Sequence, residues 1–351
     1  MSMDISHPLL LKALDTASPA LASRATIPAL QLFWFTGTAL RATDGFIGIE
    51  LPLETDFVGG VPGRVLSGFI SSLKRKTVKI TQADNSVVFS AGRSKITLPL
   101  NTTEGGVWQF DQAGEHLGEF SLSDEWREAL AFAQVSVTNN TTDDERRGVT
   151  LAPEGKKLNL YATDGVTIAW ASMAQPKGWQ APRATLPGDF VREILRVSGG
   201  TDTDSLRMYE SMARAFLPDG VEINTMYLGV EDPTNFQVTI KRFSHNMEPI
   251  AIPKEFGPAL QRAALLKDDK DGIVATLKLG EEGQFRIEAS SQLGELKERI
   301  PHEGEHADIV FKIEPQLVLR ALEKRETMIA SKRCMTLVGP ENFTYMVAAS
   351  S

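Results

Sequence analysis

The segment Leu40-Arg-Ala-Thr-Asp-Gly45 returns 120 residues later as Leu160-Tyr-Ala-Thr-Asp-Gly165, and this repeat constrains the fold of the 351-residue chain more than any other feature. Self-similarity at a fixed period means that one supersecondary unit is used several times, so it bounds domain count and architecture together. A fainter copy, Ile287-Glu-Ala-Ser-Ser291, follows 127 residues further on. A four-residue match can arise by chance, so the flanks have to agree, and they do. Ahead of each copy lies an amphipathic segment with apolar residues at three- and four-residue spacing: Pro8–Leu14, Trp126–Phe132 and Phe256–Ala264. Each leads to a short β-rich stretch, Ile27–Phe35, Gly148–Ala152 or Ile273–Leu279, and then to the repeated strand beginning near Leu40, Leu158 or Phe285.

The second halves repeat as well. Val61-Pro-Gly63, Leu186-Pro-Gly188 and Glu314-Pro315 each open a helical run, with proline expected in the helix's first turn, where its missing N–H costs nothing. Paired strands follow: Val78–Ile80 with Val87–Ser90, Leu206–Tyr209 with Ala213–Leu217, and Met335–Val338 with Thr344–Val347. The chain therefore reads as α+β in three tandem copies, with boundaries at 1–117, 118–236 and 237–351.

Composition is that of an ordinary globular protein, at 42% hydrophobic and 23% charged residues. The single cysteine, Cys334, rules out an internal disulfide framework. The N-terminus Met-Ser-Met-Asp carries an acid where a signal peptide needs a basic region, and the apolar stretch Leu30–Leu40 is too short to span a bilayer. A cytoplasmic protein without a membrane partner is expected. The net charge of −8 argues against general coating of nucleic acid, so the placement of the basic residues matters more than their number.

Over its whole length the pattern resembles the β-clamp subunit of bacterial DNA polymerase III. Ser23-Arg-Ala-Thr-Ile-Pro28, the two Ala-Thr-Asp-Gly strands, Leu98-Pro99 and Leu260-Gln-Arg-Ala-Ala-Leu-Leu266 carry the resemblance through their order and spacing. It implies a homodimeric ring of clamp domains, with helices lining the hole and sheets outside. Such a ring is a processivity factor in DNA replication that encircles duplex DNA and tethers a polymerase. No enzymatic activity and no cofactor are implied. A clamp-fold interaction platform with weakened sliding is the alternative.

On that reading the second helix of each copy should carry the DNA-facing cations. These are Arg64, Lys74, Arg75 and Lys76 in the first copy, Arg192 and Arg196 in the second, and Arg320 and Lys324 in the third, with Arg325 following. Arg192/Arg196 and Arg320/Lys324 are four apart and so share a helix face. First helices add Lys12, Lys254 and Arg262 more sparsely, and Arg24 occupies the loop position that touches DNA in the family. Contacts of this kind with phosphates are sequence-independent.

The resemblance also implies a pocket for polymerase and clamp-loader peptides. By position it would comprise Thr163, Gly165, Val166, Thr167 and Ile168, with Pro233, Met346 and Val347. The family usually has a basic residue just after Thr-Asp-Gly and often a Met-Pro-rich tail, whereas here Val166-Thr-Ile168 and Ala348-Ala-Ser-Ser351 stand in those places. The dimer seam would place Leu265 and Leu266 against Val107 and Trp108.

One motif points to another class. His302-Glu-Gly-Glu-His306 fits the H-E-x-x-H pattern of zinc hydrolases, which needs a helix to set both imidazoles on one face. Pro301 and Gly304 make a turn the natural reading, and His7, His116 and His245 offer no spaced third ligand. Cys334 has no neighbouring base, and Gly59-Gly60 and Gly105-Gly106 lack phosphate-loop spacing, so no catalytic residue and no metal site is expected.

Overall fold

The computed structural model describes residues 2–24, 27–103, 108–201, 203–230, 234–244, 248–267, 273–279, 284–302, 309–323, 325–339 and 343–350. Among them are seven α-helices: α1 (His7–Ala17), α2 (Gly63–Ser72), α3 (Asp124–Gln134), α4 (Gly188–Val197), α5 (Phe236–Ser244), α6 (Phe256–Ala264) and α7 (Pro315–Leu322). Helix α1 buries Leu10, Ala13, Leu14 and Ala17, and α6 buries Phe256, Ala259, Leu260 and Ala263. Both sets follow the i, i+3, i+4, i+7 rhythm that puts one apolar stripe on the core.

Two expectations about helix ends need correction. Pro315 is in the first turn of α7, but Pro62 and Pro187 stand one step earlier, at the N-caps of α2 and α4. They pair a helix-compatible φ of −55° and −54° with an extended ψ, so each ends a strand (Gly59–Pro62 and Ala184–Pro187) and hands over to the helix. Helix α2 also stops short. Leu73 turns extended and buries its side chain, which leaves Lys74, Arg75 and Lys76 exposed in the connection to the next strand rather than on the helix.

The chain divides into two compact units, Met1–Arg127 with Pro176–Leu228, and Glu128–Gln175 with Gly229–Ser351. In the first, one sheet runs in the order Gly59–Pro62, Leu32–Phe35, Ala39–Thr43, Ile47–Pro52, Glu222–Met226, Met212–Phe216, Ser205–Tyr209 and His116–Ser121. A smaller sheet joins Ser2–Ser6, Thr77–Ala83, Ser86–Ala91 and Ser94–Pro99. In the second unit the corresponding sheet runs Gly148–Glu154, Lys157–Thr163, Thr167–Ala174, Phe343–Ala348, Cys334–Val338, Thr327–Ala330 and Ile250–Ala251. Its smaller sheet joins Gly294–Pro301, Gln284–Ser291, Ala275–Leu279 and Ile309–Ile313. Strand pairings inside each unit are antiparallel, and in each the strand after Thr-Asp-Gly pairs with a strand from about 180 residues on: Ile49 with Ile223, and Ile168 with Met346.

The repeated hexapeptide builds the same turn twice. Thr43 Oγ1 donates to the Ile47 carbonyl at 2.8 Å, and Asp44 Oδ1 accepts from the amides of Phe46 and Ile47. Thr163 Oγ1 donates to the Thr167 carbonyl at 2.7 Å, and Asp164 Oδ1 accepts from Val166 and Thr167. Gly45 and Gly165 take φ of +93° and +90°, which a side chain disfavours. The Asp-Gly pairs are therefore satisfied turn elements. In the third copy the strand instead enters a tight hairpin, Ser291 opposite Gly294, with Ser291 Oγ accepting from the Leu293 amide.

In the first unit's large sheet, Glu222 stands directly opposite Glu50. Burial, then the Glu50 charge, push the Glu222 carboxyl above its ordinary range, and Arg214, Arg207 and Arg41 only partly offset this. A raised carboxyl pKa means that the folded state prefers the protonated form, so stability falls as pH rises from the ordinary glutamate value through the folded one. Glu222→Gln should therefore melt above the parent at pH 8, with the advantage vanishing on acidification below the ordinary glutamate range. Melting curves from pH 4 to 8 check this, and a variant that melts lower at pH 8 would contradict it.

Candidate functional site

The strand Thr167–Ala174 lies between Lys157–Thr163 and Phe343–Ala348, with Ile168 opposite Met346 and Thr167 opposite Val347. Side chains alternate across a strand, so these two pairs face opposite sides of the sheet. Ile168 and Met346 join Tyr161, Cys334, Phe236 and Ile240 in one buried cluster. Helix α5 supplies Phe236 and Ile240 and covers the sheet at this point, the Phe236 ring lying 5.2 Å from that of Tyr161. The Cys334 thiol sits in the same cluster and is pushed above its ordinary range by burial, against a hydrogen bond with the Ser331 hydroxyl. It is a poor nucleophile at neutral pH.

Thr167 and Val347 lie behind the sheet. The Thr167 hydroxyl hydrogen-bonds that of Ser136 at 2.8 Å, and Val347 has no exposed surface. The pocket residues expected here are thus divided between two buried faces, and the apolar surface exposed beside them includes Val166 at 47% and Val238 at 59%. Pro233 lies outside the described residues. Two cations flank the turn. An added Cβ on Gly165 would come within 2.8 Å of Arg146 Nη1, so that guanidinium lies across the glycine, and Arg320 Nη1 approaches Asp164 Oδ2 at 3.5 Å. Arg146, Phe236 and Ile240 are absent from the sequence-based set. The i, i+4 spacing of Phe236 and Ile240 was the available signal for α5.

Among the basic candidates, five face carboxylates. Arg192 pairs with Asp189 at 2.5 Å and Arg196 with Glu193 at 2.6 Å. Arg196 also donates to the Thr16 carbonyl at 3.1 Å. Arg262 holds Glu298 by two hydrogen bonds, which draw that carboxyl below its ordinary range, and Arg320 faces Asp164. Lys12 pairs with Asp219 at 2.6 Å. Arg325 turns inward, its guanidinium 4.6 Å over the Phe132 ring, and burial lowers its pKa. By contrast Arg24, Arg64, Lys74, Arg75 and Lys76 are exposed and form no ion pair among the described residues. Lys324 lies outside them.

At the proposed dimer seam, Leu265 is 77% exposed at the end of α6, and Leu266 is partly buried. Trp108 is engaged within its own unit. Its indole N–H donates to Asp111 at 3.1 Å, its ring packs edge-on to Phe110, and the Arg41 guanidinium lies 4.8 Å above it. Val107 and residues 303–308, which include all but His302 of the H-E-x-x-H motif, lie outside the described residues. The His302 ring packs against Phe285, 4.4 Å between centroids. Among the described residues no group of three or more His, Cys, Asp or Glu gathers as metal ligands, and no helix is long and apolar enough to cross a membrane.

No protein-family model matches the chain. It is 24% identical over 353 residues to the beta sliding clamp of Haemophilus influenzae, covering 96% of this chain and 93% of that one. Among solved structures, the DNA polymerase sliding clamp of Caulobacter crescentus superposes with a TM-score of 0.84 at 20% identity, each chain covered completely. That of Bacillus subtilis gives 0.84 at 19% identity over 100% of this chain and 99% of the other. The DNA polymerase III subunit beta of Pseudomonas aeruginosa gives 0.83 at 19% identity with complete coverage of both. The fold of this chain is that of the DNA polymerase III β subunit.

Proposed function

We propose that this protein is a DNA sliding clamp: a non-enzymatic processivity factor, divided into domains at 1–117, 118–236 and 237–351, that closes as a homodimeric ring around duplex DNA. The observation that carries this reading is the end-to-end likeness to sliding clamps, with a TM-score of 0.84 over the whole of this chain. The curated relative from Haemophilus influenzae matches over nearly the same length. The exposed cations Arg24, Arg64 and Lys74–Lys76, which form no ion pair among the described residues, support contact with phosphates in an otherwise acidic chain. Polymerase and loader peptides would dock about the exposed Val166 and Val238, beside Arg146 and Arg320, with the cluster under α5 as the floor.

A second reading is a clamp-fold interaction platform with weakened sliding, and one observation favours it: Arg192, Arg196, Arg262 and Arg320 each face a carboxylate, which offsets their charge. Loading on nicked circular DNA, followed by linearisation, separates the two. A topological clamp stays on the circle at moderate salt and runs off the line. Equal retention on both forms would sink the sliding reading, and no retention on either would favour the platform.

A further inference from the structure

We propose that α5 is a lid: Phe236 and Ile240 fill an apolar slot that a partner's apolar segment would take, and a clasp between Glu145 and Thr234 holds the helix over it. The inference rests on the peptide-docking reading above and adds how access to that site is controlled.

The slot belongs to the sheet. Tyr161, Ile168, Met346 and Cys334 come from four adjacent strands and meet in one buried cluster. Helix α5 lies across them with Phe236 and Ile240 buried, while Val238, Lys241 and Arg242 face solvent. Residues four apart share a helix face, so the helix presses one aromatic and one branched aliphatic side chain into the slot. A helix of nine residues is too short to persist alone in water, so its contacts hold it in place. A partner segment with an aromatic and an aliphatic side chain one turn apart offers the slot the same chemistry.

The clasp acts on the start of α5. The Thr234 amide donates to Glu145 Oε1 at 2.7 Å, and the Thr234 hydroxyl donates to Glu145 Oε2 at 2.6 Å. Asn235, the next residue, accepts from the Val238 amide at 3.1 Å and so caps the helix. Glu145 thus grips the chain one residue ahead of the cap, using both oxygens of one charged group. These bonds lie at the surface, where water can replace them, so the clasp can open while the sheet stays folded.

The chain's single cysteine reports on the lid. Cys334 is 3% exposed within the slot, so its alkylation by iodoacetamide in the full-length protein requires opening. Movement of α5 alone exposes little surface, and the alkylation rate should rise only weakly with urea; a slope equal to that of global unfolding would overturn the lid. Glu145→Ala should raise the rate about tenfold and Thr234→Val about threefold, with the weak urea dependence retained. A fluorescein-labelled Leu-Leu-Phe amide should bind Glu145→Ala about tenfold more tightly than the parent, because the open state is more populated. Unchanged alkylation in both variants, or equal affinity of the peptide for parent and Glu145→Ala, overturns the proposal. If the peptide binds neither protein while Glu145→Ala still labels faster, the lid stands and the docking reading is what fails.

Discussion

Replacing Arg24, Lys74, Arg75 and Lys76 together by glutamine should lower the salt dependence of binding to a short linear duplex by about 3 to 4 units of log–log slope, and affinity in 50 mM salt by roughly two orders of magnitude. The size follows from counterion release, in which each phosphate neutralised contributes about 0.9 to the slope on B-form DNA. These residues lead because they are exposed and carry no carboxylate partner among the described residues. The pair Arg192→Gln and Arg196→Gln should change the slope by less than about 1, because Asp189 and Glu193 already sit within hydrogen-bonding distance and DNA would have to compete with them. Fluorescence anisotropy across a salt series measures both. If the pair produced the larger loss, the division into paired and unpaired cations would be wrong. Unchanged binding in the fourfold variant would remove the loop after α2 from the DNA interface.

That contrast marks where sequence reading reaches and where it stops. The three helix–strand–helix–strand copies were legible because burial periodicity is local: the i, i+3, i+4, i+7 set of α6 and the alternation in Val87–Phe89 are each visible in under ten residues. The repeated turn was legible because Thr-Asp-Gly encodes its own hydrogen bonds. Pairing between distant charges is not encoded locally. Nothing near Arg262 announces Glu298, and nothing near Arg320 announces Asp164, 156 residues away. The covering of Ile168 was hidden for the same reason. The strand Thr167–Ala174 reads as half-exposed until α5, more than sixty residues on, is laid across it. The ion pair of Arg146 with Asp143 is local, but its place over Gly165, 19 residues on, is not, because a glycine leaves no chemical trace of what lies across it.

Phe110→Ala should cost about 3–5 kcal/mol of stability, and its combination with Gly48→Ile should recover a large part of that loss. Phe110 is 1% exposed, and its ring occupies the space beside Gly48, where an added Cβ would overlap the ring edge and come within 3.1 Å of Trp108. Gly48 lies in a regular strand, and its backbone does not require glycine. The glycine is there to admit the ring. One repeat later the position is Ile168, whose own side chain fills the space under α5. The two copies thus reach the same filled volume in two ways, a small strand residue with an aromatic from the linker or a branched strand residue beneath a helix. Gly48→Ile alone should destabilise by 1–3 kcal/mol or somewhat more, because two groups then compete for one volume. With Phe110 truncated, the isoleucine enters the vacated space with favourable strand propensity, and the double variant should be more stable than the sum of the singles by roughly 2 kcal/mol or more. Urea unfolding followed by the same tryptophan signal in all four proteins closes the cycle. Additivity to within about 0.5 kcal/mol would mean that Phe110 and Gly48 do not share one cavity and that the equivalence of Gly48 with Ile168 is sequence register alone.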